Sequence, residues 1–279
     1  MPPLCPFRDR PVLHHCYHSW RRLLHGQPLR RRRPGSGRGP AKGYLVLSVT
    51  YRLAPCELIT GQPNHTHPES GRPPEQTDDI KSLIRAARAD SMSNHHVAVL
   101  GGSAGASHAL LVGFDKTPSP PNTYSNWCQG SKDDRPETVI SLSAPVDFSD
   151  RAGTGPGERE GFVQDIENYT NTCVRVDPSG GYDQKSVSPV AKVKAQSVQS
   201  FKPLFAVSSD DEPIPPSQAD DLSCALQSKS IDTALYKILV IAGRNHAFAT
   251  WLRPDAPGSL TTVRDDVIAF LDDHFKNPP

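Results

Sequence analysis

From Gly43 onward, short apolar runs alternate with longer stretches in which apolar residues recur every three or four positions. "GYLVLSVTYRL" (43–53) is β-branched and aliphatic, too short for a buried helix and bounded by glycine and proline, so it predicts a buried strand. "TDDIKSLIRAARAD" (77–90) opens on a threonine cap and acids, then sets Ile80, Leu83, Ile84 and Ala87 on one helical face. "HHVAVLG" (95–101) predicts a strand, and residues 104–114 a helix. Further strands are expected in "ETVISLSAP" (137–145), at the start of 202–216 and in "IDTALYKILVIAG" (231–243). Helices are expected over 217–229, capped at Ser217, and over 259–275, with Val263, Val267, Phe270 and Leu271 facing inward. Strands alternating with helices predict βαβ units: an α/β fold with a mostly parallel central sheet and helices on both faces.

Two excursions, 115–136 and 146–200, are too long for connecting turns and are expected to form irregular cap or lid segments, with "GFVQDIENY" the best helical piece. No internal repeat is present. A chain of 279 residues suffices for one substantial core, so residues 43–279 are expected to form a single domain.

Charge separates the beginning of the chain from the rest. Of its 31 Lys/Arg and 30 Asp/Glu, ten and one fall within residues 1–43, leaving 21 basic against 29 acidic residues beyond. Residues 1–42 are rich in Arg, Pro and Gly and predict a poorly ordered segment. They lack the aromatic interleaving or helical period of a nucleic-acid face, so no nucleic-acid partner is expected. The abrupt change near Gly43 points to a frame error or a wrong start upstream.

No run approaches the roughly 18 apolar residues of a membrane span. No secretory leader follows the first basic residues, which predicts a cytoplasmic protein, with secretion left open if the start is misread. The six cysteines form no CxxC pair and no Cys/His zinc spacing, so reduced thiols are the default, with a Cys128–Cys173 bridge as the alternative. Neither metal nor cofactor is expected.

The chemistry centres on Gly101-Gly102-Ser103-Ala104-Gly105. Glycine and serine between a strand and a helix can be simple punctuation. The same residues match G-x-S-x-G, in which a sharp strand-to-helix turn lifts the serine out at the positive end of the helix, with the Ala104 amide facing a developing oxyanion. Such a serine needs a base, and the base an orienting acid. "LFAVSSDDEPIPP" ends a buried run with Asp210, Asp211 and Glu212, and "IAGRNHAF" puts His246 in the loop after the next strand. Loop acids and a lone loop histidine are ordinarily solvated. Serine, acid and histidine in the hydrolase order, each at a strand end, favour the catalytic reading.

"VTYRLAP" (49–55), "VLGGSAGA" (99–106), "SP" (188–189), "DDEPIP" (210–215) and "NHAF" (245–248) resemble the α/β-hydrolase superfamily, above all its hormone-sensitive-lipase-like and feruloyl-esterase-like carboxylesterases. The resemblance spans roughly residues 43–275 and implies an α/β-hydrolase fold and cleavage of a small-molecule carboxylic ester. Its D-x-x-[VI]-P pattern selects Asp211 as the acid, its H-x-F loop matches His246, and Tyr51 and Arg52 are structural. The family's HGGG-type loop, which completes the oxyanion hole, is reduced here to His25-Gly26, leaving Gly26 as the only second donor that this fragment offers. Losing one such donor costs about 2.7–4 kcal/mol. The alternatives are therefore a peptidase or amidase with the same triad, and a catalytically impaired hydrolase-like protein.

Overall fold

A computed structural model of the chain describes residues 44–54, 71–91, 93–116, 134–150, 160–170, 183–197, 201–209 and 213–276. Gly26, Asp210, Asp211, Glu212, Cys128, Cys173 and the basic segment 1–42 lie outside the described residues. Strands β1 (Ala98–Gly102), β2 (Thr138–Leu142), β3 (Leu204–Ser209) and β4 (Tyr236–Ile241) form one sheet in the order β1-β2-β3-β4. Every pairing is parallel, with Gly101 opposite Ser141 and Leu142 opposite Val207. All four carboxyl ends therefore reach the same edge.

The helices are α1 (Glu75–Ala89), α2 (Ala104–Phe114), α3 (Glu160–Thr170), α4 (Gln184–Val187), α5 (Pro189–Lys194), α6 (Ser217–Ser228) and α7 (Val263–Lys276). Neighbouring parallel strands joined by crossovers of one hand place the connecting helices on one face. On that face Val139, Leu204 and Ala206 pack against Leu110 and Phe114 of α2, Val190 and Val193 of α5, and Leu222 and Leu226 of α6. The other face carries Ile140, Leu142, Phe205 and Val207, covered by Val263 and Val267 of α7. β2 is buried along its whole length, which is why it reads as a continuous apolar run rather than an alternating one. Outside α2 lies α1, with Ile80 and Ile84 against Val112. This is the α/β arrangement expected from the alternation of strands and helices, a parallel sheet covered on both faces.

Four details differ from the sequence reading. Residues 44–50 form no strand, and Leu45 and Val46 are exposed. A strand is a paired structure, and β1 has no strand beside its outer edge among the described residues, so the apolar run has no ladder to join. Helix α1 starts at Glu75 rather than at a Thr77 cap; Thr77 is buried inside it, and the Glu75 carboxylate accepts the Arg72 amide at 3.0 Å. Its polar flank is also internal, because Arg85 pairs with Asp134 at 3.2 Å and Arg88 with Glu137 at 2.6 Å.

Ser217 is the first helical residue rather than the cap, and its hydroxyl goes to Asp150 at 2.6 Å. The stretch 146–200 is not all cap, since α5 places Val190 and Val193 in the sheet core. Among the described residues no helix is long and apolar enough to cross a membrane.

Candidate active site

β1 ends on Gly101-Gly102 and α2 begins at Ala104, so Ser103 makes the whole turn between them. Its backbone sits at φ 57°, ψ −126°, a conformation that L side chains rarely adopt and that costs about 1–3 kcal/mol. Gly101 makes the bend possible. A Cβ there would lie 2.0 Å from the Gly105 carbonyl oxygen, so strand and helix approach backbone to backbone. A Cβ at Gly105, by contrast, would meet nothing within 4 Å. The turn is pinned to the sheet by the Ser103 amide, which donates to Leu142 O at 2.9 Å.

The Ser103 carbonyl accepts the amides of Ala106 (2.8 Å) and Ser107 (3.2 Å), while its hydroxyl makes no capping bond. The hydroxyl is thus left for other work, half-buried at the positive end of α2. Ala104 is the first helical residue, and an amide in that position has no intrahelical acceptor. Two contacts fix α2 against β2: Ser107 Oγ donates to Pro145 O at 2.6 Å, and Gly113 lies so close to Val139 that an added Cβ would sit 2.4 Å from its Cγ2.

His246 follows β4 and directly precedes a 3₁₀ turn, Ala247–Thr250. This loop backs onto the turn at Ser103. A Cβ on Gly102 would lie 2.9 Å from Ala247 Cβ and 3.1 Å from the Phe248 ring. The structure therefore brings the chain neighbours of Ser103 and His246 into contact. His246 is half-buried between two buried residues, Asn245 and Ala247. On one side Ser209 Oγ donates to the Asn245 carbonyl; on the other the Ala247 amide donates to Ser143 Oγ at 2.9 Å. The His246 carbonyl accepts the Ala249 amide at 2.9 Å, closing the 3₁₀ turn.

Ser143 and Ser209 are the residues that sequence reading passes over. Each is a small polar residue ending an apolar run, "TVISLS" and "LFAVSS", and that is the only signal they carry. Among the described residues no group of three His, Cys, Asp or Glu side chains is placed to hold a metal ion.

No family model and no curated protein sequence matches the chain. Among solved structures it is similar to an acetyl ester-xyloside bifunctional hydrolase from Caldicellulosiruptor lactoaceticus, at 16% identity and TM-score 0.49, over 74% of this chain and 68% of that one. It is also similar to esterase 2 of Thermogutta terrifontis, at 18% identity and TM-score 0.43, over 72% of this chain and 63% of that one. An arylesterase matches at 16% identity and TM-score 0.38, over 72% and 59%. The aligned part thus spans roughly three fifths to two thirds of each of these structures.

Proposed function

We propose that the chain is a serine hydrolase that cleaves small-molecule carboxylic esters. Ser103 is the nucleophile, His246 the general base and then acid, Asp211 the acid that orients His246, and the Ala104 amide the oxyanion donor, with Gly26 as its second donor. The observation that carries this reading is the backbone of Ser103, a non-glycine residue at φ 57°, ψ −126° between the end of strand β1 and a helix N-terminus. Strain of that kind persists where the surroundings enforce it, and here it presents an uncapped hydroxyl beside the His246 loop.

Ser103 Oγ attacks the ester carbonyl carbon as its proton passes to the His246 imidazole, and the carbonyl electron pair moves onto oxygen, against the Ala104 amide. Collapse of the tetrahedral species expels the alcohol oxygen, which takes the proton back from His246 and leaves an acyl group on Ser103. Water then attacks the acyl-enzyme by the same route, its proton going to His246 and on to Ser103 Oγ. The carboxylic acid leaves. Asp211 holds the imidazole tautomer and stabilises its charged form.

The test is fluorophosphonate labelling together with turnover of short- and long-chain p-nitrophenyl esters and a matching p-nitroanilide, in wild type and Ser103→Ala. Wild type is expected to label and to hydrolyse the esters faster than the anilide, and the variant to do neither. A preference for the anilide moves the reading to amidase or peptidase chemistry. If wild type and Ser103→Ala behave alike, the enzyme reading falls.

A further inference from the structure

The end of β2 touches both halves of the candidate site. The Leu142 carbonyl accepts the Ser103 amide at 2.9 Å, and the next residue's hydroxyl, Ser143 Oγ, accepts the Ala247 amide at 2.9 Å. Ser143 is itself held: its amide donates to Val207 O on β3 at 2.8 Å, its φ is 56°, and it is almost fully buried. One dipeptide, Leu142–Ser143, therefore measures out the separation between the serine turn and the histidine loop. At the end of β3, the buried Ser209 hydroxyl holds the Asn245 carbonyl, one residue before His246. His246 is thus bracketed, with its preceding carbonyl fixed by β3 and its following amide by β2.

Resting on the assignment of Ser103 and His246 above, we propose that Ser143 and Ser209 are positioning residues that set the His246 imidazole against Ser103. Both are hydroxyls at strand ends, so they transmit the rigidity of the sheet to a loop that has no ladder of its own. Neither touches the reacting atoms. Their effect passes through His246, because the two backbone groups they hold belong to its immediate neighbours. A displacement of about 1 Å in such a site can cost on the order of a hundredfold in rate.

The test compares wild type, Ser143→Gly and Ser209→Ala, each also in a His246→Ala background, by steady-state hydrolysis of p-nitrophenyl acetate and by circular dichroism melting. Glycine at 143 keeps the positive φ and removes only the acceptor. The expected result is a kcat lower by about tenfold or more with KM little changed. The same substitution is expected to leave the residual rate of His246→Ala unaltered, since a residue acting through an absent imidazole has nothing left to position.

An unchanged kcat in the folded single variants overturns the proposal. So does an equal loss with and without His246, which marks a general structural role. If Ser143→Gly does not fold, Ser209→Ala decides by the same two criteria; if neither variant folds, both serines are shown to hold the fold as a whole, and the proposal is likewise overturned. Ser103→Ala, run in parallel, keeps the two readings apart. Full activity in Ser103→Ala refutes the hydrolase assignment and this inference with it, whereas an inactive Ser103→Ala beside an unaffected Ser143→Gly refutes only the positioning role.

Discussion

Replacing Gly101 with alanine places a methyl group 2.0 Å from Gly105 O, 2.2 Å from Gly105 C and 2.7 Å from Ala106 N. Ordinary contact between such atoms is about 3.5 Å, so strand and helix must part by about 1.5 Å to admit it. All three obstructing atoms are backbone, and no side-chain rotation relieves the clash. Overpacking of this kind costs about 1–3 kcal/mol, and an unyielding neighbour puts Gly101→Ala at the upper end. For a chain of this size that corresponds to a fall in Tm of roughly 6–12 °C.

Because the displaced atoms carry Ser103, the proposed chemistry at that residue predicts that turnover by the folded protein falls by about a hundredfold as well. Gly105→Ala is the matched control. It lies in the first turn of the same helix, meets nothing within 4 Å, and should gain up to about 1 kcal/mol from helix propensity. Thermal melting followed by circular dichroism, with p-nitrophenyl acetate hydrolysis per folded molecule, reads both effects. Wild-type melting and turnover in Gly101→Ala, or equal destabilisation by the two alanines, would show that the close approach of Gly101 to Gly105 is not as described.

Two further perturbations follow from the supporting structure. His108 is buried, its Nε2 donates to Gln76 Oε1 at 2.7 Å, and its Nδ1 has no hydrogen-bond partner among the described residues. Burial lowers its pKa from 6.5 to about 4, with the Asp79 carboxylate opposing the shift. Between those two values the unfolded chain binds the proton that the folded one refuses, so stability is lost as pH falls through that window. The loss is about 3 kcal/mol from this group and should be absent in His108→Gln, read by urea denaturation at pH 7 and pH 4.5; equal losses in the two proteins would sink the assignment. Arg52 grips Asp79 through Nε and Nη2, both at 2.9 Å, and so ties the "YRL" stretch to α1. Arg52→Lys loses the fork geometry and should cost about 1–2 kcal/mol of stability in urea while leaving kcat unchanged; a tenfold fall in kcat would place Arg52 in the chemistry instead.

What could be read from the sequence follows from how local each cause is. Helix α2 coincides with the predicted 104–114, because Gly101 and Ser103 are themselves the cause of its start. The four strands and α7 were legible because each packs a continuous or periodic apolar set, such as Val263 and Val267 against Phe205 and Val207. "GYLVLSVTYRL" has the same composition as a strand, yet ladder bonds depend on a neighbour that composition does not reveal. The motif treats Gly101 and Gly105 alike, whereas only Gly101 is sterically required. Ser143 and Ser209 were illegible for a different reason: their partners lie 104 and 36 residues away, and nothing in a run of small polar residues announces a contact across the sheet edge.

The placement of backbone strain unites these observations. Five described non-glycine residues have positive φ, and three of them, Ser103, Ser143 and Ala247, meet at the carboxyl edge of the sheet. The other two, His95 and Ser230, lie in the connections that precede β1 and β4, toward the opposite edge. Each such residue costs about 1–3 kcal/mol, so three gathered at one edge of the sheet require a support that does not yield. β2 supplies it, being buried on both faces by α2 and α7 and hydrogen-bonded on both edges. Its last carbonyl and the hydroxyl that follows are the points to which the serine turn and the histidine loop are fastened. An exposed strand could not hold two strained loops in register. The sheet centre can: the G-x-S-x-G turn ends β1, the outer strand among the described residues, and is fastened to β2 through the Leu142 carbonyl.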